Sequence, residues 1–277
     1  MRDKMRKYNV PILTNKKYRT DSVFVPKSLL REARRQKNIA RGEIPKICLL
    51  DPDGDILVNL LKEGKAKLND DWACYHTKLY NFVYDGIEFG IVGCAVGSSF
   101  AVLVAEELFA CGCKLLISMT SAGQVTPLDV PPPYFVLIEK ALRDEGTSYH
   151  YLPPTQYSHI DRRLLKTVTS NLEKDSLMIP IGASWTTDAP FRETKFSVEY
   201  ARSRGILTVE MEASALYAFA SAKKKPVICF AHVTNQMGNV CGDFEKGHNN
   251  GSADALKIIC STAGAWLNRR KRDKRAK

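Results

Sequence analysis

The stretch from Val209 to Ala220, VEMEASALYAFA, sets two carboxylates around one methionine and then runs on in small and apolar residues without Pro or Gly. That run reads as a helix to about Ala222, because alanine and leucine are strong helix formers and nothing interrupts them. Residues 205–209 before it read as a short buried strand. Residues 223–226 after it (KKKP) put cations and then a stop at the helix end. The apolar segment 227–234 follows as a second strand. Strand, helix, strand gives a parallel pair whose carboxyl ends open on one crevice. Glu210 and Glu212 then sit with Met211 where the first strand becomes the helix, and Asn235 ends the second strand. Carboxylates in that place are costly to desolvate unless something accepts their charge. A vicinal diol such as a ribose would donate two hydrogen bonds to one of them. An ordinary helix start, where acids suit the positive end of the dipole, accounts for them as well.

A chain of 277 residues can bury a sizeable core, as one large domain or two modest ones. It contains no run of about 18 uncharged apolar residues, so no membrane span is expected. The N-terminus has basic residues but no apolar core of a secretory signal. Eight cysteines lie mostly inside apolar segments; none forms a Cys-x-x-Cys pair, and Cys111-Gly-Cys113 is too tight for zinc. Buried reduced thiols, a cytoplasmic location and no metal site are the expectation. The net charge of +11 is unevenly spread: residues 1–46 hold 14 Lys/Arg against 4 Asp/Glu, and residues 269–277 hold 7 against 1. Such ends suit nucleic acid or an anionic surface. Without an accompanying recognition motif, a solvated tail is the favoured reading.

Residues 28–41 read as a basic helix with Leu29, Leu30 and Ala33 on one side, and residues 1–20 as extended chain. Residues 44–50 read as the first core strand, 51–55 as a turn, and 55–64 as a helix. Residues 72–84 and 87–92 read as strands joined by an Asp85-Gly86 hairpin turn. The second leads through a glycine-bearing loop, 93–99, into a helix to about Cys111, a layout that suits an anion at the helix N-terminus. Residues 114–119, 134–142 and 176–183 read as strands, and 161–173 and 251–267 as amphipathic helices. The five histidines lack metal-ligand spacing, and His150 reads as a packed residue.

The sequence VEMEASALY at 209–217 resembles the signature helix of the nucleoside phosphorylase family, which contains uridine phosphorylases, hexameric purine nucleoside phosphorylases and related nucleosidases. The similarity runs from about Ile47 to Leu267. It implies an α/β fold, a three-layer single domain around a twisted, partly barrel-like mixed β-sheet flanked by helices. The domain would cover 44–268, with a basic N-terminal extension at 1–43 and a basic tail at 269–277. The resemblance implies that Met211 packs on the sugar of a nucleoside and that Glu212 binds its hydroxyls, with Glu210 beside them. Gly97 and Ser98 in the glycine-bearing loop, and Ser121 in the segment 120–124, fall where the family holds phosphate and sugar. Residues 184–194 match the family's base-binding segment in position. Thr187, Phe191 and Arg192 are its candidates, Phe191 covering the base and Arg192 bonding a carbonyl oxygen. A local pair of Arg192 with Glu193 or Asp188 is the alternative. Residues 143–153 resemble a uridine-phosphorylase segment, read as a structural loop with Arg143 paired to Asp144 or a core carboxylate.

The chain departs from the family at phosphate. In the family a Gly-Asp-Pro turn is followed by an arginine; here Leu50 takes the glycine position and no arginine stands near Gly54. Asn81 falls near where a neighbouring subunit lends another arginine, and Ser118 where a third stands. Losing guanidinium groups removes charge-assisted bidentate bonds to a dianion, unless Lys46, Lys78 or the basic N-terminal segment supply the charge. The nucleosidases, which use water, also lack arginine at the Ser118 position. Asn235 is the candidate donor to the leaving base. An asparagine donates a hydrogen bond without giving up a proton, as in uridine phosphorylases, which favours a pyrimidine or oxo-purine over adenine. The expectation is N-glycosidic cleavage with inorganic phosphate as co-substrate. Water as acceptor and a non-catalytic nucleoside-binding homologue are the alternatives. No metal or organic cofactor is implied, and the resemblance implies a homo-oligomer, a dimer or a trimer of dimers.

Overall fold

The computed structural model describes residues 10–40, 42–237 and 242–275. Among them, β5 (Leu115–Gln124) is the strand on which the sheet divides. Its first half lies between β1 (Ile47–Asp51) and β10 (Val227–Asn235), both parallel to it. Its end turns to pair antiparallel with β9 (Ile206–Glu210), Gly123 opposite Val209. From β10 the sheet continues antiparallel to β6 (Tyr134–Asp144), then parallel to β8 (Ile181–Thr187) and on to β9. Strands β5, β10, β6, β8 and β9 therefore close into a mixed barrel, and closure leaves no free edge among them. From β1 the sheet extends outward through β4 (Ile87–Gly93), β3 (Tyr80–Tyr84) and β2 (Ala66–Leu68), and β7 (Tyr157–His159) adds to β6. All nine residues of β10 are buried, the continuous apolar pattern of a strand covered on both faces.

Helices flank this sheet. α6 (Ala213–Lys223) is buried from Ala213 through Phe219. Its small residues on every side let it lie between α3 (Ser98–Cys111), β6 and β10, where an amphipathic helix would not fit. The Tyr217 hydroxyl donates to the Ile138 carbonyl at 2.5 Å and accepts the Cys229 N–H at 3.0 Å, tying α6 to two barrel strands. α2 (Asp55–Lys62) follows β1, and α4 (Arg162–Lys174) packs against α7 (Ser252–Arg275). Within the basic N-terminal extension, α1 (Pro26–Lys37) docks on α3 through Leu30 and Ala33.

Several elements differ from their sequence expectation. Only Tyr80–Tyr84 of segment 72–84 is strand; the Trp72 indole donates to Thr77 Oγ1 within a loop. Residues 176–180 stay outside β8, which instead runs to Thr187 through the segment expected to be its exit. α5 (Lys195–Ser203), capped by the Thr194 side chain accepting from the Ser197 N–H, had no periodic apolar signal. The basic run from Arg269 is not a free tail through Arg275: it continues α7, since extending an existing helix avoids the cost of a new nucleus. Residues 1–9 of the expected extended segment lie outside the described residues. No helix among the described residues is long and apolar enough to cross a membrane. Cys48, Cys74, Cys113 and Cys229 are buried, Cys94 is exposed, and Cys241 lies outside the described residues.

Candidate active site

The two glutamates at the β9–α6 junction do different work. Glu210 is 3% exposed and fully engaged by the protein. One of its oxygens accepts the Glu212 and Ala213 N–H groups at 2.7 Å each; the other accepts the hydroxyls of Thr186 (2.5 Å) and Ser184 (3.1 Å). The Ser214 N–H bonds Thr186 Oγ1 at 2.9 Å. The Glu212, Ala213 and Ser214 N–H groups, which have no partner inside the helix, are thus satisfied by one carboxylate and one hydroxyl. Glu210 is the helix-start acid, and the substrate-binding role expected of it is corrected on that ground: its acceptor sites are filled.

Glu212 is 1% exposed and forms no ion pair among the described residues. Its Oε1 accepts the Gly97 N–H and its Oε2 the Thr120 hydroxyl, both at 2.6 Å. Each oxygen keeps a second lone pair. Burial, reinforced by the neighbouring Glu210 charge, pushes the Glu212 carboxyl up, to about 7. Gly97 has φ +90, a conformation that turns its N–H inward and that side chains disfavour. Ser98, buried, donates to the Met211 carbonyl at 2.7 Å, fastening the start of α3 to the same junction. Met211 is half-buried beside it.

Asn235 and Ser121 come from the carboxyl ends of β10 and β5. Ser121 Oγ and Thr234 Oγ1 are 3.1 Å apart. Asn235 Oδ1 accepts the Met237 N–H at 2.8 Å, which points Nδ2 toward Thr234 Oγ1 (3.2 Å) and the Ala122 carbonyl (3.5 Å). Strands β5, β9 and β10 approach closely at Gly123, where a Cβ would lie 3.2 Å from both Asn235 Oδ1 and Val209 Cγ1. Glu212, Met211, Gly97, Ser98, Ser121 and Asn235 are therefore assembled by three strand ends and two helix starts.

The expected base-binding residues are not drawn into this cluster. Thr187 is buried and accepts the Ala189 N–H at 3.2 Å. Phe191 is 100% exposed and Arg192 lies on the surface of the same short turn, Pro190–Arg192. Arg192 makes no ion pair among the described residues, and Asp188 accepts the Gly146 N–H at 2.8 Å instead. Glu193, which desolvation alone raises to about 7, is half-buried. Arg143 is not ion-paired either. It donates to Ser148, Thr155 and the Pro153 carbonyl and lies over the Tyr149 ring at 4.3 Å. His150 is exposed, with Nδ1 2.9 Å from Lys16 Nζ.

Where the family holds phosphate, Leu50 and Ser118 are fully buried, and Asn81 accepts from Asn69 at 3.0 Å. The turn after β1 carries Asp53 and Asp55, both bound by Lys246 from the segment before α7 at 2.6 and 2.5 Å. Asp51, buried next to them, is raised to about 7 by burial and by the Asp55 and Asp53 charges. Opposite Ser121 on β10, His232 stacks on Phe135 and is lowered to about 4 by burial and by Lys246. Sequence reasoning missed Thr120, Thr186, Thr234 and Lys246. Hydroxyl residues ending β5, β8 and β10 were a visible signal; nothing marked Lys246.

A uridine phosphorylase from Vibrio fischeri ES114, crystallised with 6-hydroxy-1-naphthoic acid, superposes with a TM-score of 0.64 at 22% identity, covering 80% of this chain and 90% of its own. A Toxoplasma gondii purine nucleoside phosphorylase in complex with immucillin-H gives 0.68 at 16% identity, covering 82% and 93%. A guanosine phosphorylase of Halorubrum lacusprofundi is 26% identical over 172 residues, 61% of this chain and 69% of its own length. The model of the phosphorylase superfamily matches residues 46–263, well over half of the chain, and this protein belongs to that superfamily.

Proposed function

We propose that the protein cleaves the N-glycosidic bond of a nucleoside and transfers the pentosyl group to phosphate. The observation that carries this reading is Glu212, a buried carboxylate whose partners are an N–H and a hydroxyl, with lone pairs left for a diol. As the bond breaks, the sugar gains positive charge and the base gathers electrons. Ionised Glu212 would hold two sugar hydroxyls and stabilise the cationic ring, with Met211 against its face. Asn235 would donate through Nδ2 to the departing base by giving up its long, 3.5 Å bond to the Ala122 carbonyl, its orientation set by the Met237 N–H. An amide donor suits a pyrimidine or an oxo-purine, and the relative named a guanosine phosphorylase is in keeping with the latter. Assembly into a dimer or a trimer of dimers belongs to the same reading: Phe191 and Phe196 are exposed apolar side chains of the kind a subunit contact covers.

Water as acceptor is the second reading, and one observation favours it. The turn after β1 presents Asp53 and Asp55 to a single ammonium, Lys246, so an arriving dianion meets excess negative charge. Base release from uridine, inosine and guanosine, followed with and without phosphate, separates the two. Turnover only with phosphate supports transfer; full turnover in phosphate-free buffer defeats it. Absence of turnover and of any nucleoside-induced melting shift defeats both.

A further inference from the structure

A groove lies at the opposite end of the barrel from the candidate site. It has a volume of about 920 Å³ and is floored by the starts of β5 and β10, whose other ends carry Ser121 and Asn235. Nine residues of strand put the two roughly 25 Å apart. Seven lysines and arginines line the groove against one carboxylate, Asp161, and that carboxylate is spent on capping α4 through the Leu164 N–H at 2.8 Å. Among the described residues, Lys114, Arg162, Arg163, Lys224 and Lys225 take part in no ion pair. A second cavity, of about 500 Å³, shares Arg163 and Arg269 with the first and adds Lys166, Lys174 and Arg272, with no acid in its lining.

The two cavities form one track between α4 and α7. On α4 it follows Arg163, Lys166, Ser170 and Lys174, one helix face about 16 Å long at 1.5 Å per residue. That length matches about five nucleotides of a strand whose bases stay stacked, at about 3.4 Å of rise each. The Ser170 hydroxyl and the Asn268 amide stand among the cations, donors that phosphodiester oxygens accept from. The aromatic residues are not available to a bilayer: Trp266 is 7% exposed under the Arg270 guanidinium (4.8 Å), and Lys225 lies over Phe109 (5.4 Å). We infer that this track is a binding site for single-stranded nucleic acid, held by its phosphate backbone and separate from the nucleoside-cleaving site.

The test uses the full-length protein and a fluorescein-labelled 12-nucleotide RNA of mixed sequence, with anisotropy read from 50 to 300 mM KCl. Binding should weaken with a log–log salt slope of about −3.5, five phosphates at about 0.7 each. The pair R162E/R163E should weaken binding at least tenfold with melting temperature and nucleoside turnover unchanged, since acids suit the first turn of α4. K166E/R272E, farther along the track, should do the same and stands in should the first pair melt early. No binding at 50 mM KCl overturns the inference. So does binding that neither pair weakens, or tighter binding to phosphatidylserine vesicles or to a 12-residue polyglutamate than to the RNA.

Discussion

Glu210 and Glu212 have the same chemistry, are two positions apart, and are both raised by burial, yet they are separated by what faces them. Glu210 faces four donors of its own chain; alanine there would leave the Glu212 and Ala213 N–H groups without this acceptor. E210A should cost about 3 kcal/mol, a fall in melting temperature of roughly 5–10 °C, measured by thermal unfolding. E212A leaves the α6 start intact but unpairs the Gly97 N–H and the Thr120 hydroxyl, so it should cost about 1–2 kcal/mol of stability while losing at least about 100-fold in base release, or about 3 kcal/mol of transition-state stabilisation. Wild-type turnover in E212A would end the sugar-binding role. Because the diol bonds need the ionised carboxylate, base release should decline as the pH falls below about 7. A flat profile between pH 5 and 8 would exclude Glu212 as the titrating group. Asp51 gives the opposite sign for stability. Its folded value of about 7 lies above the ordinary 3.8, so the folded chain binds the proton more tightly, and this stabilisation is lost as pH rises from about 4 through 7. D51N keeps an acceptor for the Leu57 N–H and should raise the melting temperature at pH 8 but not at pH 4.

Among the elements, the segment between β10 and α7 is joined to the turn after β1 through Lys246, which bridges Asp53 and Asp55, with Asn250 donating to Asp55 at 2.8 Å. All three ion-pair partners are partly exposed, so solvent screens the pairs and their stability contribution is about 1 kcal/mol at most. The functional effect should be larger. K246A unmasks two carboxylates on the turn after β1, where the family resemblance implies phosphate. If phosphate is the acceptor, its KM should rise at least tenfold with little change in melting temperature; a water-dependent reaction should not respond. Steady-state kinetics against phosphate concentration distinguishes these outcomes.

For the whole molecule, barrel closure is what brings the candidate site residues to one end of the sheet, since β5 pairs with β10, which carries Asn235, and with β9, which leads to Glu212. Tyr217 links that closure to α6 from the inside. Y217F removes a hydroxyl that serves a buried carbonyl and a buried N–H at once, leaving both unpaired. A loss of about 2–3 kcal/mol is expected, measured by denaturant unfolding. An unchanged midpoint would mean that the strands close without this tie.

The sequence alone determined the α/β class, the strand–helix–strand unit around 205–235 and the junction that holds Met211 and Glu212, because apolar period, caps and breakers are local properties. It also showed the absence of arginine at Leu50–Gly54, Asn81 and Ser118, since identity needs no fold. It left open which of the two glutamates serves the helix start; tertiary contacts gave that place to Glu210 and set Glu212 against Gly97 and Thr120. Thr120 and Gly97 meet Glu212 from 92 and 115 residues away, and Lys246 reaches Asp53 across 193. Such pairings have no periodic trace, because they are set by strand order. The placement of Phe191 and Arg192 on the surface, and the merging of the basic C-terminal run with α4 into one track, were decided in the same way. Local sequence fixes which way a side chain faces along its own element, whereas only packing fixes which other element it meets.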